Sequence, residues 1–389
     1  MEPPITMTSD PDNLQSRPPS PSRSPSRSPP HPIPYGLKLG ENIYSPLIDD
    51  DICCYCGSPD SQKPCHNCRL VQYCSKKCWV YDRRPRHRQQ CKRIVYESWR
   101  YNYYRKKLTR QFGDDVFEKK LGDWRFWGNE EDGFQKLFVD AVMGLVEAGV
   151  KFNTRRAIRE AVGSMRMMSL LNPRAPSPLM GSLHLRIGED QSCYDHCKLW
   201  FATGANPDYD WDTHSDNLQI QHADVLEPVE PFFKAGGMDS LYYLVPTTLF
   251  KIRLLHDLQA LQRLQLLAGT ILPRELYDII AQDSVRYIAA RNKAIRDQDP
   301  SHLIPKVTKQ IRFLFNEADK ACPPQISFWR VFLKAEKDWL WICEFGDEDV
   351  RRVRKVVADV YNSWVETPGA IGVVEELVAS RAVDEGIVN

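Results

Sequence analysis

The sequence predicts a mainly α-helical protein that carries a small cysteine-rich module behind a disordered N-terminal tail. Three observations predict it. Eight of the twelve cysteines fall between Cys53 and Cys91. Beyond about residue 98, apolar residues recur at three- and four-residue spacing and strand-like alternation is rare. Residues 1–36 hold eleven of the 28 prolines.

The tail comes first. Runs such as Pro18-Pro19-Ser20-Pro21 have too little apolar surface to offset the entropy of ordering them. Residues 1–48 are therefore expected to form a disordered Pro/Ser/Arg-rich segment with local polyproline II character. Ser20, Ser24 and Ser28 each precede a proline near Arg23 or Arg27, a context that suits a proline-directed kinase. No apolar h-region marks a secretory signal, and no stretch reaches the roughly 18–20 uncharged apolar residues of a spanning helix. A soluble intracellular protein, nuclear or cytoplasmic and with no membrane partner, is expected. Across the chain 52 Lys and Arg face 51 Asp and Glu, which excludes a globally basic nucleic-acid binder. Any electrostatic steering has to come from a local patch.

An approach over 37–52, with the acidic run Asp49-Asp50-Asp51, leads into the cysteines. In a reducing compartment such a cluster points to metal and not to disulfides. Cys53-x2-Cys56 and Cys65-x2-Cys68 can each clip a metal from a tight turn. Cys74-x3-Cys78 suits one turn of helix, and His87-x3-Cys91 sets two ligands on one helical face. Eight nitrogen or sulfur donors make two tetrahedral sites, and shells of four thiolates, or of three thiolates and an imidazole, select zinc. With four protein ligands each, neither ion keeps an open position for water, so two structural zinc ions per chain are expected. The segment is too short and too poor in large apolar side chains to fold on a core of its own, so metal has to supply much of its folding energy. Spacing leaves the pairing open between a sequential and an interleaved arrangement. Cys54 lies too close to Cys56 for this pattern and is read as a spare thiol, and His66, inside a CxxC knuckle, is expected to point outward.

These residues resemble the MYND-type zinc finger. The family pattern is two CxxC pairs, a C-x3-C preceded by Tyr and followed by Ser, and H-x3-C. The matching text is Cys53-Cys54-Tyr55-Cys56-Gly57, Cys65-His66-Asn67-Cys68, Tyr73-Cys74-Ser75-Lys76-Lys77-Cys78 and His87-x3-Cys91, about a tenth of the chain. The resemblance implies interleaved pairing, with Cys53, Cys56, Cys74 and Cys78 on one zinc and Cys65, Cys68, His87 and Cys91 on the other. It also implies a protein partner, engaged through a short peptide motif. The chain departs from the family in having eight residues between Cys78 and His87, where seven are usual. Trp79 and Arg84 stand where Gln and Trp are common. Trp79 beside a rigid knuckle suits a partner anchor, or packing against the finger's own closing helix.

A basic segment follows. From Arg69 to Arg110 fourteen Lys and Arg face only Asp82 and Glu97, whereas seven thiolates on two zinc dications leave about −3 to be balanced. Over 83–110 the cations interleave with Tyr96, Trp99, Tyr101, Tyr103 and Tyr104. Thiolate compensation plus a helix packing its aromatics on the core explains this. The alternative is a nucleic-acid-associated regulatory protein that uses the segment for phosphate contacts and stacking, or for nuclear import.

The remainder, 96–389, reads as an α-helical domain. Phe134, Leu137, Phe138, Ala141, Leu145 and Ala148 outline one helix face. So do Leu249, Ile252, Leu255, Leu258 and Leu261, and then Val350, Val353, Val357, Val360, Tyr361 and Trp364. Asp347 is placed to cap the last of these and Pro368-Gly369 to end it, while Pro273 opens a helix before Leu276, Ile279 and Ile280. Cys193 and Cys197 read as buried thiols on one helical face, and Asp208–Asp212 with His214 as a solvated loop. The ankyrin-like text from Trp200 to Pro207 has no partner repeat about 33 residues away. SET methyltransferase motifs are missing, since Thr213-His214-Ser215-Asp216 is the nearest text; GxSxG, Walker A and GxGxxG loops are also missing. The expected protein is a non-enzymatic interaction module or adaptor: tail 1–48, two-zinc MYND-like finger 49–95, helical domain 96–389.

Overall fold

Helix accounts for 72% of the residues described below, which places the chain in the mainly α class. The computed structural model describes residues 47–59, 63–82, 87–113, 133–171, 178–203, 220–268, 274–335 and 347–384. The tail up to residue 46, Arg83 to Arg86, the acidic loop with His214, Pro273 and Cys343 lie outside them. No helix among the described residues is long and apolar enough to cross a membrane.

The cysteine-rich part holds β1 (Lys63–Pro64) and β2 (Gln72–Tyr73), paired antiparallel, followed by α1 (Lys76–Asp82). Then come α2 (Arg88–Phe112), α3 (Gly133–Phe152), α4 (Arg155–Leu171), α5 (Met180–Arg186) and α6 (Asp190–Thr203). Helix α7 (Leu241–Ala268) is followed by α8 (Arg274–Ser284), the single turns α9 (Ile288–Arg291) and α10 (Lys293–Arg296), and α11 (Pro300–Lys320). The chain closes with α12 (Phe328–Lys334), α13 (Glu348–Val365) and α14 (Ala370–Asp384).

The expected faces land where the periodicity puts them. Phe138, Ala141, Leu145 and Ala148 of α3 are buried, as are all five periodic residues of α7. Asp347 caps α13 by accepting from the Glu348 N–H at 2.7 Å. Three residues depart: Leu137, Leu276 and Ile279 are exposed. Helix α7 sits at the centre of the C-terminal core, so its polar side chains must find partners inside. Thr247 and Thr248 donate back to the Tyr243 and Leu244 carbonyls. Arg253 donates to Asp190, the Leu185 carbonyl and Thr367. Lys251 donates to the Val225 carbonyl at 2.6 Å, and burial pulls its pKa down to about 7.

Two features fix the cysteine-rich part to the helices. Helix α2 starts at Arg88, ten residues before the periodicity suggests, and position 95/96 falls inside it. One apolar cluster joins Tyr55, Leu70, Val71 and Tyr73 to Ile94 of α2, Leu145, Ala148 and Phe152 of α3 and Ala157 of α4. The α3–α4 corner adds polar ties. Ile48 donates to the Asn153 carbonyl and accepts from Arg155, while Thr154 Oγ1 donates to the Leu70 carbonyl at 3.0 Å. Arg155 and Arg159 pair with Asp49 and Asp50 of the acidic run. Helices α2 and α3 approach closely at Gly144, where a Cβ would lie 2.5 Å from the buried Glu97 carboxylate.

Candidate metal centres

The two metal groups are built by short backbone turns. Gly57 N–H bonds the Cys53 carbonyl at 2.8 Å, and Arg69 N–H bonds the Cys65 carbonyl at 3.0 Å. In each knuckle the residue after the second cysteine adopts positive φ, 73° at Gly57 and 57° at Arg69. Glycine meets this without strain, whereas arginine meets it at a cost of about 1 kcal/mol. Cys74 directly follows β2, and Ser75 Oγ accepts from the Cys78 N–H at 3.2 Å, starting α1. His87 is the N-cap residue of α2, and Cys91 lies in its first turn.

Cys53, Cys56, Cys74 and Cys78 bring their sulfurs within 4.8 Å of one another, and so do Cys65, Cys68, His87 and Cys91 with their donor atoms. The pairs therefore interleave, and the sequential arrangement is not formed. Sulfurs bound tetrahedrally at ~2.3 Å from one ion stand about 3.8 Å apart. In the first group Cys56–Cys74 and Cys74–Cys78 are 3.5 Å apart and Cys56–Cys78 3.8 Å. In the second, Cys65–Cys91 is 3.9 Å, and His87 Nε2 lies 3.1 Å from Cys65 and 3.7 Å from Cys68. Each group could hold one metal ion, and donors of this type at these separations are consistent with zinc.

The protons have to leave for metal to enter. Burial pushes the Cys56, Cys74 and Cys78 thiols up, which favours their neutral forms when no metal is bound. At His87 burial pulls the pKa down, but hydrogen bonds to Cys65 and Cys91 more than offset it and raise it to about 9. Metal binding at the second group therefore expels a proton and weakens as pH falls.

His87 is oriented by packing. Its ring stands edge-on between Tyr73 and Phe152, with centroids 6.1 Å and 5.5 Å away. Its buried Nδ1 has no hydrogen-bond partner among the described residues, where a ligating histidine more often donates to a carboxylate or carbonyl. Tyr73 in turn donates to the buried Asp82 carboxylate at 2.7 Å, tying the end of α1 to β2. Phe152 and Thr154 are thus positioning residues that the cysteine pattern does not reveal. Thr154 has a sequence signature, because it precedes α4 and accepts from the Ala157 N–H as a helix cap. Phe152 has none.

Cys54 is buried outside both groups, with its N–H on the Gln72 carbonyl, and His66 is exposed. Both stand where the sequence puts them. Among the described residues no further metal group forms, and Cys193 and Cys197 are buried in the C-terminal core. Trp79 is half-buried against the finger cluster and separates two clefts of about 410 Å³ each. Lys63, Pro64, Tyr73 and Lys76 line one, and Arg88, Lys92 and Val95 line the other. No family model, curated protein or solved structure matches the chain.

The basic helix departs from expectation. Of its aromatics, Tyr101 and Tyr104 pack on the core, whereas Tyr96, Trp99 and Tyr103 face away from it.

Proposed function

We propose that the chain is a non-enzymatic interaction protein built on a MYND-type finger with two structural zinc ions. The observation that carries this reading is closure: each group offers four protein donors from one compact shell, which leaves no position for a substrate or water. Zinc, when bound, supplies fixed charge and crosslinking, and the residues do the rest. The knuckles and α1 hold the first shell, Tyr73 and Phe152 fix the His87 ring, and the shared core with α2, α3 and α4 makes the finger a rigid outcrop of the helical domain.

The partner face is the surface around Trp79. A large indole that packs against the finger's own cluster and lines two open clefts has the arrangement of an interface anchor. Lysines 63, 76 and 92 and Arg88 on the cleft walls favour a short peptide segment with acidic residues. An intracellular, reducing setting suits a module whose thiols must stay available for metal.

Elemental analysis of freshly purified, desalted protein should return close to two zinc per chain. Co-purification should then recover the partner with intact protein and lose it with Trp79→Ala, which should keep its zinc. About one equivalent of zinc, or iron in its place, contradicts the two-site reading. Unchanged capture by Trp79→Ala moves the partner face elsewhere.

A further inference from the structure

Helix α2 carries a stripe that, past Lys92, lies outside the Trp79 clefts. Lys92, Tyr96, Trp99, Tyr103, Lys106 and Arg110 follow one another at steps of four, three, four, three and four residues, one stripe of a 3.6-residue helix. All six are exposed. The core-facing stripe of Cys91, Ile94, Glu97, Tyr101 and Leu108 lies on the opposite side, so these rings cannot reach the core by any rotamer change.

The three rings form a ladder. Tyr96 and Trp99 stack at 6.4 Å and 26°, and Trp99 and Tyr103 at 5.4 Å and 22°. They remain 57%, 60% and 41% exposed. Arg100 covers the Tyr96 end and Lys107 the Tyr103 end, at 5.8 and 5.7 Å. Three adjacent aromatic rings held in water by their own helix are an unusual use of apolar area, and they indicate an occupant.

Charge identifies its class. The only acidic residue of α2 is Glu97, which is buried and paired with Arg100. Arg88, Lys92, Lys106 and Arg110 are exposed and take no ion-pair partner among the described residues. Cations at both ends of a stacked aromatic centre fit a polyanion with flat faces. They repel a basic segment such as residues 17–27, with Arg17, Arg23 and Arg27, and they offer a lipid surface no aliphatic side chain within the stripe. Tyr96 and Tyr103 are exposed and carry hydroxyls able to hydrogen-bond a 2′-hydroxyl.

We propose that the exposed face of α2 from Lys92 to Arg110 binds single-stranded RNA, with bases on the Tyr96–Trp99–Tyr103 ladder and phosphates on the flanking cations. The stripe is about 27 Å long, enough for about eight nucleotides at stacked spacing. This surface shares Lys92 with the wall of one Trp79 cleft, whereas the Tyr96–Trp99–Tyr103 ladder, Lys106 and Arg110 line neither cleft, so substitutions at those residues test it apart from the peptide-binding reading.

The test uses full-length, zinc-loaded protein and a labelled twelve-nucleotide oligouridine, read by fluorescence anisotropy. Binding should weaken about 100-fold between 50 and 200 mM salt, as about five phosphate contacts require. Trp99→Ala should weaken it at least about fivefold, and Lys106→Ala with Arg110→Ala should flatten the salt dependence, with zinc content and helicity unchanged in both. Because these side chains are solvent-exposed, the variants are expected to fold. Oligothymidine of the same length should bind more weakly. No binding at 50 mM salt overturns the proposal. Binding that is indifferent to Trp99→Ala overturns it too, since that is plain charge attraction. Oligothymidine bound as well as oligouridine overturns the assignment to RNA. Phosphatidylserine vesicles or polyglutamate that bind more tightly than oligouridine assign the face to a membrane or an acidic protein instead.

Discussion

The finger and the C-terminal core solve the same problem with different means. Around α7 the chain excludes water with large apolar side chains; Trp329, Trp364, Phe328 and Phe332 are wholly buried and in mutual ring contact. The finger has two two-residue strands and one short helix, and its centre is occupied by eight donor atoms that are useless as a core unless a cation neutralises them. Its apolar residues are completed by borrowing Leu145, Ala148, Phe152 and Ala157 from α3 and α4. A metal ion in each group, with the neighbouring helix pair, would replace what a larger core would supply.

The largest expected effect separates the two regions outright. Chelation removes a binding contribution on the order of 10 kcal/mol per structural zinc from the finger and nothing from α7. Hydrogen exchange should show amides of 53–82 and the first turns of α2 losing protection while α7 and α11 keep theirs. Loss of protection in α7 would mean that the regions unfold as one unit.

Substitutions refine the contrast. Trp364→Ala should cost about 3–5 kcal/mol in denaturant unfolding with two zinc ions retained, because Trp364 belongs to the C-terminal core alone. Phe152→Ala should cost about 3 kcal/mol and also speed zinc loss to a chelator, because Phe152 fills the finger cluster and walls the His87 ring. If Phe152→Ala leaves zinc release unchanged, the helical domain does not hold the ligand in place. The smallest effect has the opposite sign. Arg69→Gly should stabilise the zinc-loaded finger by about 1 kcal/mol, because Arg69 occupies the φ of 57° that Gly57 fills in the sister knuckle. Destabilisation would show that the arginine side chain contributes more than its backbone strain costs.

What the sequence discloses follows from the range of each interaction. Ligand spacing and helical periodicity are local, so the eight donors, the α3, α7 and α13 faces and the Asp347 cap are legible in it. The interleaved pairing joins residues up to 26 apart, and only the family resemblance indicates it ahead of the structure. The tie between Leu70 and Thr154 and the contact of Phe152 on His87 are long-range and leave no periodic mark. Helix α2 misleads for a related reason. Its aromatics fall on both faces, so composition suggests a core role that only Tyr101 and Tyr104 fulfil.

X-ray absorption at the zinc edge of the two-zinc protein tests the central claim most directly, because it reads what fills each coordination sphere. Averaged over two closed sites, the shell should hold seven sulfurs to one nitrogen, with sulfur at ~2.3 Å and nitrogen at ~2.0 Å. A shell with additional oxygen or nitrogen at the expense of sulfur would mean an open or misassigned site, and would contradict a purely structural role for the metal.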